Sequence, residues 1–202
     1  MDTRRADPAA RPVSLMSPDE QTAWFTDLYE RTFQPVYAYI RRRVPGEADV
    51  PDLVADVFTV AWAKQPMVPE PPGDRPWLLA VARLRLAEHH RGAERQLHLI
   101  EKLNDDPTQD ADAEFTGPEL PQALRTALNH LRPTDLEVVR LIAWDRLSHA
   151  DAAAVLGCSP NSVAIRWHRT IRRLRRQLRL IEPGASISTN NVADSPATER
   201  ER

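Results

Sequence analysis

The stretch Ser148-His149-Ala150-Asp151-Ala152-Ala153-Ala154-Val155-Leu156-Gly157-Cys158-Ser159-Pro160-Asn161-Ser162-Val163 decides how this chain is read. Serine is a strong N-cap, so Ser148 predicts a short helix over 148–156. Gly157 then stands where a helix closes with a left-handed residue. Ser159-Pro160 caps a second helix, with proline in a first turn that has no use for its missing N–H. The small Ala152 and Ala153 let the two helices cross closely. Together these features are the sequence form of a helix-turn-helix.

The second helix, predicted over 160–180, has two unlike faces. Val163, Trp167, Ile171, Leu174 and Leu178 form one apolar stripe, while Asn161, Ile165, His168, Arg169, Arg172 and Arg176 point away from it. Seven arginines and no acid lie between 166 and 179. In water alone such like charges repel one another along the helix. Against phosphates they release counterions and gain affinity. A helix-turn-helix lays the start of its second helix in the major groove. Asn161, Ser162, Ile165 and Arg166 are therefore candidates for base edges, and Arg169, Arg172 and Arg173 for phosphates. The arginines alone also fit a solvated basic face; the capped turn before them favours DNA.

Working outward, helical patterns over 118–131 and 134–145 complete a second block, 118–180. Before it, residues 96–117 carry Glu101, Asp105, Asp106, Asp110, Asp112 and Glu114 against a single Lys102. That run holds too little apolar surface to offset its ordering entropy and predicts a flexible acidic linker. The first block, 18–95, opens on a capping box, Ser17-Pro18-Asp19-Glu20. Phe25, Leu28, Tyr29, Phe33, Val36, Tyr37 and Ile40 recur at helical steps, with Pro35 expected to kink or divide the helix. A second helix enters at Asp49 and carries Leu53, Val57, Ala61 and Trp62 along one side. Pro66, Pro69, Pro71 and Pro72 predict an extended loop, and a third helix runs from Asp74 to an end near Gly92. The polar ends, 1–17 and 181–202, read as disordered. The fold class expected is all-α, with two small helical domains joined by the linker.

Composition removes other classes. With 202 residues, 42% of them apolar, the chain can build ordinary cores, but no run reaches the roughly 18 apolar residues of a membrane span. The first residues lack the apolar run of a secretory signal. The single Cys158 cannot form an internal disulfide, and a reducing cytoplasm is the expected home. Six glycines speak against a turn-rich β-protein and against phosphate-cradling glycine loops. No catalytic cluster or metal-ligand spacing is visible: Glu88-His89-His90 points its adjacent histidines 100° apart on a helix. No cofactor, no metal and no enzymatic activity are expected.

Two features of the first block hint at partners. Asp52 and Asp56 share a face with no basic residue three or four positions away, beside Phe58 and Trp62. A protein partner with arginines and apolar pockets would select such a face, although core aromatics behind N-terminal acids give the same pattern. The third helix carries Arg83, Arg85, Arg91 and Arg95 behind Trp77, which suits melted nucleic acid, although a tryptophan in the first turn of an apolar stripe is more often core.

The two blocks together resemble an extracytoplasmic-function (ECF) sigma factor, the promoter-specificity subunit of bacterial RNA polymerase. The resemblance covers about 22–95 and 120–179. Asp52-Leu53-Val54-Ala55-Asp56-Val57-Phe58-Thr59-Val60-Ala61-Trp62 is similar to the family's polymerase-gripping helix. Asp74-Arg75-Pro76-Trp77-Leu78-Leu79-Ala80-Val81-Ala82-Arg83 resembles its −10 helix, and 147–159 with Val163, Arg166 and Arg169 its −35 helix-turn-helix. The resemblance implies core polymerase (β′ clamp and β flap) and promoter DNA as partners, with an anti-sigma factor as a further candidate and no membrane. It assigns Asp52, Leu53, Asp56, Phe58 and Trp62 to polymerase, and Met67, Arg75, Trp77, Arg83 and Arg91 to the −10 element. It departs from the family at Ala164, Ile165, Leu84 and Glu88, so no base assignment is carried over. The rival reading is a stand-alone helix-turn-helix regulator whose first block senses or dimerises.

Overall fold

A computed structural model describes residues 16–103 and 120–181. Among these the chain is helical, without a strand: α1 (Pro18–Arg41), α2 (Val50–Ala63), a 3₁₀ turn (Gln65–Met67), α3 (Asp74–Leu103), α4 (Gln122–Asn129), α5 (Pro133–Val139), a π-helical turn (Arg140–Trp144), α6 (His149–Leu156) and α7 (Pro160–Ile181). No helix among the described residues is long and apolar enough to cross a membrane. Of the acidic linker expected over 96–117, residues 96–103 belong instead to α3; its remainder from 104, and all but Met16, Ser17 and Ile181 of the ends expected to be disordered, 1–17 and 181–202, lie outside the described residues.

The caps form as local chemistry dictates. The Ser17 hydroxyl accepts from the Glu20 amide at 3.2 Å while the Glu20 carboxylate accepts from the Ser17 amide at 2.7 Å. The Ser148 hydroxyl accepts from the Asp151 amide, and the Ser159 hydroxyl from the Ser162 amide. Gly157 closes α6 at φ 67° and ψ 38°. Open space surrounds the position its Cβ would take, so Gly157→Ala adds backbone strain and no clash. The substitution is expected to cost about 1 kcal/mol, read as a lowered melting temperature with DNA contacts intact.

Three expectations need correcting. Pro35 does not divide α1, which runs unbroken to Arg41. The hydrogen bond lost at its missing N–H is outweighed by Thr32, Val36, Tyr39 and Ile40, all buried around it. Gly92 does not end α3, which continues to Leu103. An isolated glycine costs a helix about 1 kcal/mol relative to alanine, which the good helix formers flanking it at Arg91, Ala93, Glu94 and Arg95 tolerate. Residues 134–145 are not one α-helix either. After Val139 the ladder widens, the Asp145 amide donating to the Arg140 carbonyl at 2.9 Å. Arg146, at φ 53°, then turns the chain toward the Ser148 cap.

Packing joins what the sequence reading kept apart. One buried cluster runs from Leu28, Val36 and Ile40 of α1 through Val57, Phe58, Leu78 and Leu79 to Val138, Leu141, Ala152, Val155 and Val163. The first helix of the helix-turn-helix, α6, lies against α3, and Ala152 and Ala153 are buried as their size predicted. A smaller cluster of Leu128, Leu131, Val139 and Leu174 seats α7 on α4 and α5. Arg31 pairs with the buried Asp74 and ties α1 to the start of α3.

Candidate nucleic-acid and polymerase interfaces

The apolar stripe of α7 is turned inward: Val163 and Leu174 are buried, and Trp167, Ile171 and Leu178 pack against the clusters. Its other face is therefore free to work. Asn161, Ser162, Ile165, Arg166, Arg169, Arg172 and Arg173 are all exposed, and Ile165 keeps 45% of its surface in water. Five of them, Ser162, Ile165, Arg166, Arg169 and Arg173, line a groove of about 580 Å³ with Arg132, Thr134, Asp135 and Thr170. Arginines of α7 and Arg132, the residue before α5, thus converge on one concavity, which suits a phosphate backbone. Asp135 reaches Arg166 at 3.9 Å, and Arg173 donates to the His130 carbonyl at 3.3 Å. Sequence reasoning missed Arg132 and Asp135, whose place in the groove follows from α5 packing on α7.

On α2 the five candidate side chains separate. Asp52 and Asp56 are exposed, and neither carries an ion pair among the described residues. Trp62 is 45% exposed. Leu53 and Phe58, by contrast, are 5% and 3% exposed and belong to the core, so neither side chain is on the face; their helical phase turns them toward α1 and α3. Asp49 makes no cap hydrogen bond and instead meets His89 of α3 at 3.2 Å.

An aromatic run that the sequence showed only as periodicity borders this face. Tyr29 meets Phe33 at a tilt with 5.0 Å between centroids, Phe33 meets Tyr37 likewise at 5.9 Å, and Phe25 meets Trp62 edge-on at 5.2 Å. Tyr29 and Tyr37 remain 40% and 36% exposed, which spacing alone could not reveal.

The −10 candidates lie along the loop and α3. Met67 is 64% exposed at the loop, and Arg83 and Arg91 are exposed on α3. Trp77 packs against the main cluster and is only partly exposed. Arg75 is partly buried, its guanidinium donating to the Asp145 carbonyl. That last contact comes from the second block, and it is one of several. Arg42 pairs with Asp145, as does Arg43 at 3.0 Å, and Arg43 also binds Glu137 at 3.0 Å. The Tyr39 hydroxyl donates to Glu137 at 3.2 Å, and burial pushes that hydroxyl's pKa far up, so it remains a neutral donor.

The helical fold with a helix-turn-helix fits a known class. Residues 121–174 match the family described as sigma-70, region 4, which makes the second block a sigma-type module. The chain is 28% identical over 158 residues to the ECF RNA polymerase sigma factor BldN of Streptomyces coelicolor, across 76% of this chain and 60% of BldN. It is 28% identical over 161 residues to the RNA polymerase sigma factor CarQ of Myxococcus xanthus, across 78% of this chain and 91% of CarQ. In fold it is similar to the sigma factor RpoE of Bartonella quintana, solved with the anti-sigma factor NepR, at a TM-score of 0.58 and 24% identity over 77% of this chain and 97% of that one. The chain is thus similar, over 61–78% of its length, to RNA polymerase sigma factors of the ECF type and their relatives, and its second block carries sigma-70 region 4.

Proposed function

We propose that the chain recruits core RNA polymerase to promoters, acting in the cytoplasm as an initiation factor without catalytic activity of its own. The first block, about 18–95, takes the polymerase clamp through Asp52, Asp56 and Trp62 and reads the −10 region with Met67, Arg75, Trp77, Arg83 and Arg91. The end of α3 and the residues that follow it join this block to the second, about 118–180, which takes the −35 duplex through α7. The observation that carries this reading is the exposed basic face of α7, whose opposite face is core. Sequence selection then comes from two modest contacts held on one polymerase, where effective concentration multiplies them. An anti-sigma protein fits as a partner, as in the complex of the Bartonella factor with NepR.

Gel shift with and without core polymerase tests this. Specific promoter binding and DNA opening are expected only with core enzyme. Tight operator binding by the free chain would support a stand-alone regulator instead. A finer measurement uses Arg169→Ala, which should weaken promoter binding uniformly across sequences. It should also flatten the dependence of log affinity on log salt by about one unit, the share of one phosphate contact.

A further inference from the structure

The groove beside α7 is strongly basic, yet one side chain in it is apolar. Ile165 is the one apolar residue among the described residues that line it, and Arg132, Arg166, Arg169 and Arg173 are its cations. Single apolar side chains are ordinary on a protein surface, so the place of Ile165 is more informative than its exposure. It lies in the second turn of α7, the second helix of the helix-turn-helix, whose opening residues meet base edges in the major groove. Accepting the −35 role of α7, on which this inference rests, we propose that Ile165 selects a thymine in that element by packing on its C5 methyl group.

Folding makes little use of this side chain. Successive helix residues advance by about 100°, so Ile165 stands away from Val163 and Trp167, two positions to either side of it. Val163, Thr170 and Leu174 are buried, whereas Ile165 keeps 45% of its surface in water and belongs to neither buried cluster. Isoleucine is also a poorer helix former than the arginines around it. Ser162 and Arg169, three positions before and four after, share its face of the helix. The side chain is therefore presented with the candidate DNA contacts and not with the core.

Its neighbours divide the work. The Ser162 hydroxyl is engaged with that of Ser159 at 2.8 Å. Asp135 holds Arg166 at 3.9 Å, and the His130 carbonyl accepts from Arg173 at 3.3 Å, so two of the cations are steadied from the α4–α5 side. Arginines steadied in this way set the helix on phosphates without reading sequence. Ile165 has neither donor nor acceptor to offer a polar base edge. Of the groups that base pairs display in the major groove, thymine's methyl is the apolar one. An amino group or a ring nitrogen held against Ile165 would lose its water and gain no partner, which penalises the other bases. A protein partner is the other class that could cover this side chain, but four cations around a single apolar residue favour the polyanion.

The test uses holoenzyme assembled from the full chain and core polymerase, which first selects duplexes from a pool randomised at both promoter elements. Each thymine in the selected −35 region is then replaced singly by deoxyuridine, which removes the C5 methyl and nothing else. Competition binding reads the affinity. One such replacement is expected to weaken wild-type binding about fourfold, the worth of one buried methyl. The same replacement should leave Ile165→Ala unaffected, whereas Ile165→Val, which keeps the branched methyls, should retain most of the loss. This base-specific coupling is what a phosphate contact such as Arg169 would not show. Selected duplexes with no sensitive thymine overturn the proposal, as does a thymine equally sensitive in Ile165→Ala. Weaker binding of Ile165→Ala to core polymerase without DNA would make the side chain a protein contact and overturn it too. Failure to select any duplex ends the promoter reading, and this inference with it; selection without the coupling ends this inference alone.

Discussion

Reversing both acids of α2, with Asp52→Arg and Asp56→Arg, is expected to lower affinity for core polymerase by at least about a hundredfold. The two carboxylates are exposed, four residues apart on one helix face, and unpaired among the described residues. Their mutual repulsion costs a few tenths of a kcal/mol; the helix N-terminus offsets it at Asp52, in the first turn, but not at Asp56, a turn further in. Reversal replaces attraction to basic groups on the partner by repulsion, which is why the loss exceeds that of simple neutralisation. The isosteric pair Asp52→Asn and Asp56→Asn makes the sharper comparison. It relieves the repulsion, so melting temperature should hold or rise slightly, while polymerase binding still falls. Acids present only to favour the helix N-terminus would behave oppositely, losing stability and keeping affinity. Equilibrium binding to core enzyme, with circular dichroism as the fold control, reads both quantities. Unchanged affinity after reversal would move the contact to another face.

What the sequence could disclose was set by the range of the interactions. The capping box at Ser17 and Glu20, the Ser148 and Ser159 caps and the left-handed Gly157 each depend on residues within a turn, so their chemistry is written locally. The stripe of α7 was legible for the same reason, and with it the exposure of Arg169 and Arg172. The pairing of Arg43 with Glu137 spans 94 positions and leaves no mark in either neighbourhood. The π-helical turn is equally silent, since its benefit is the placement of Asp145 against α1 and not any preference of Arg140 through Trp144. Gly92 misled because a weak local penalty was given more weight than the helix-forming residues on both sides. The aromatics of α1 and α2 fall between these cases: their helical spacing was plain, but which rings would face water depended on how α1 lies against α2.

Phe58 and Trp62, one helical turn apart on α2, are expected to give opposite phenotypes when each is cut to alanine. Phe58 is 3% exposed, meets Phe25 edge-on at 6.2 Å and lies 4.8 Å from the Tyr29 ring. Phe58→Ala removes that ring from the centre of the first block and leaves a cavity that α1 cannot close without disturbing Leu28 and Val57. The cost should be about 3–5 kcal/mol, a large part of the stability of a domain this size, read as a fall in the denaturant midpoint. Trp62 is 45% exposed and meets Phe25 edge-on at 5.2 Å. Trp62→Ala should therefore cost about 1 kcal/mol in stability, but at least about tenfold in affinity for core polymerase, because an exposed tryptophan beside two unpaired acids is the anchor such an interface uses. Stability and binding measured on both variants separate the roles. A Trp62→Ala protein that binds normally would leave the acids to act without an aromatic anchor, and a Phe58→Ala protein that melts normally would mean its ring is not part of the core.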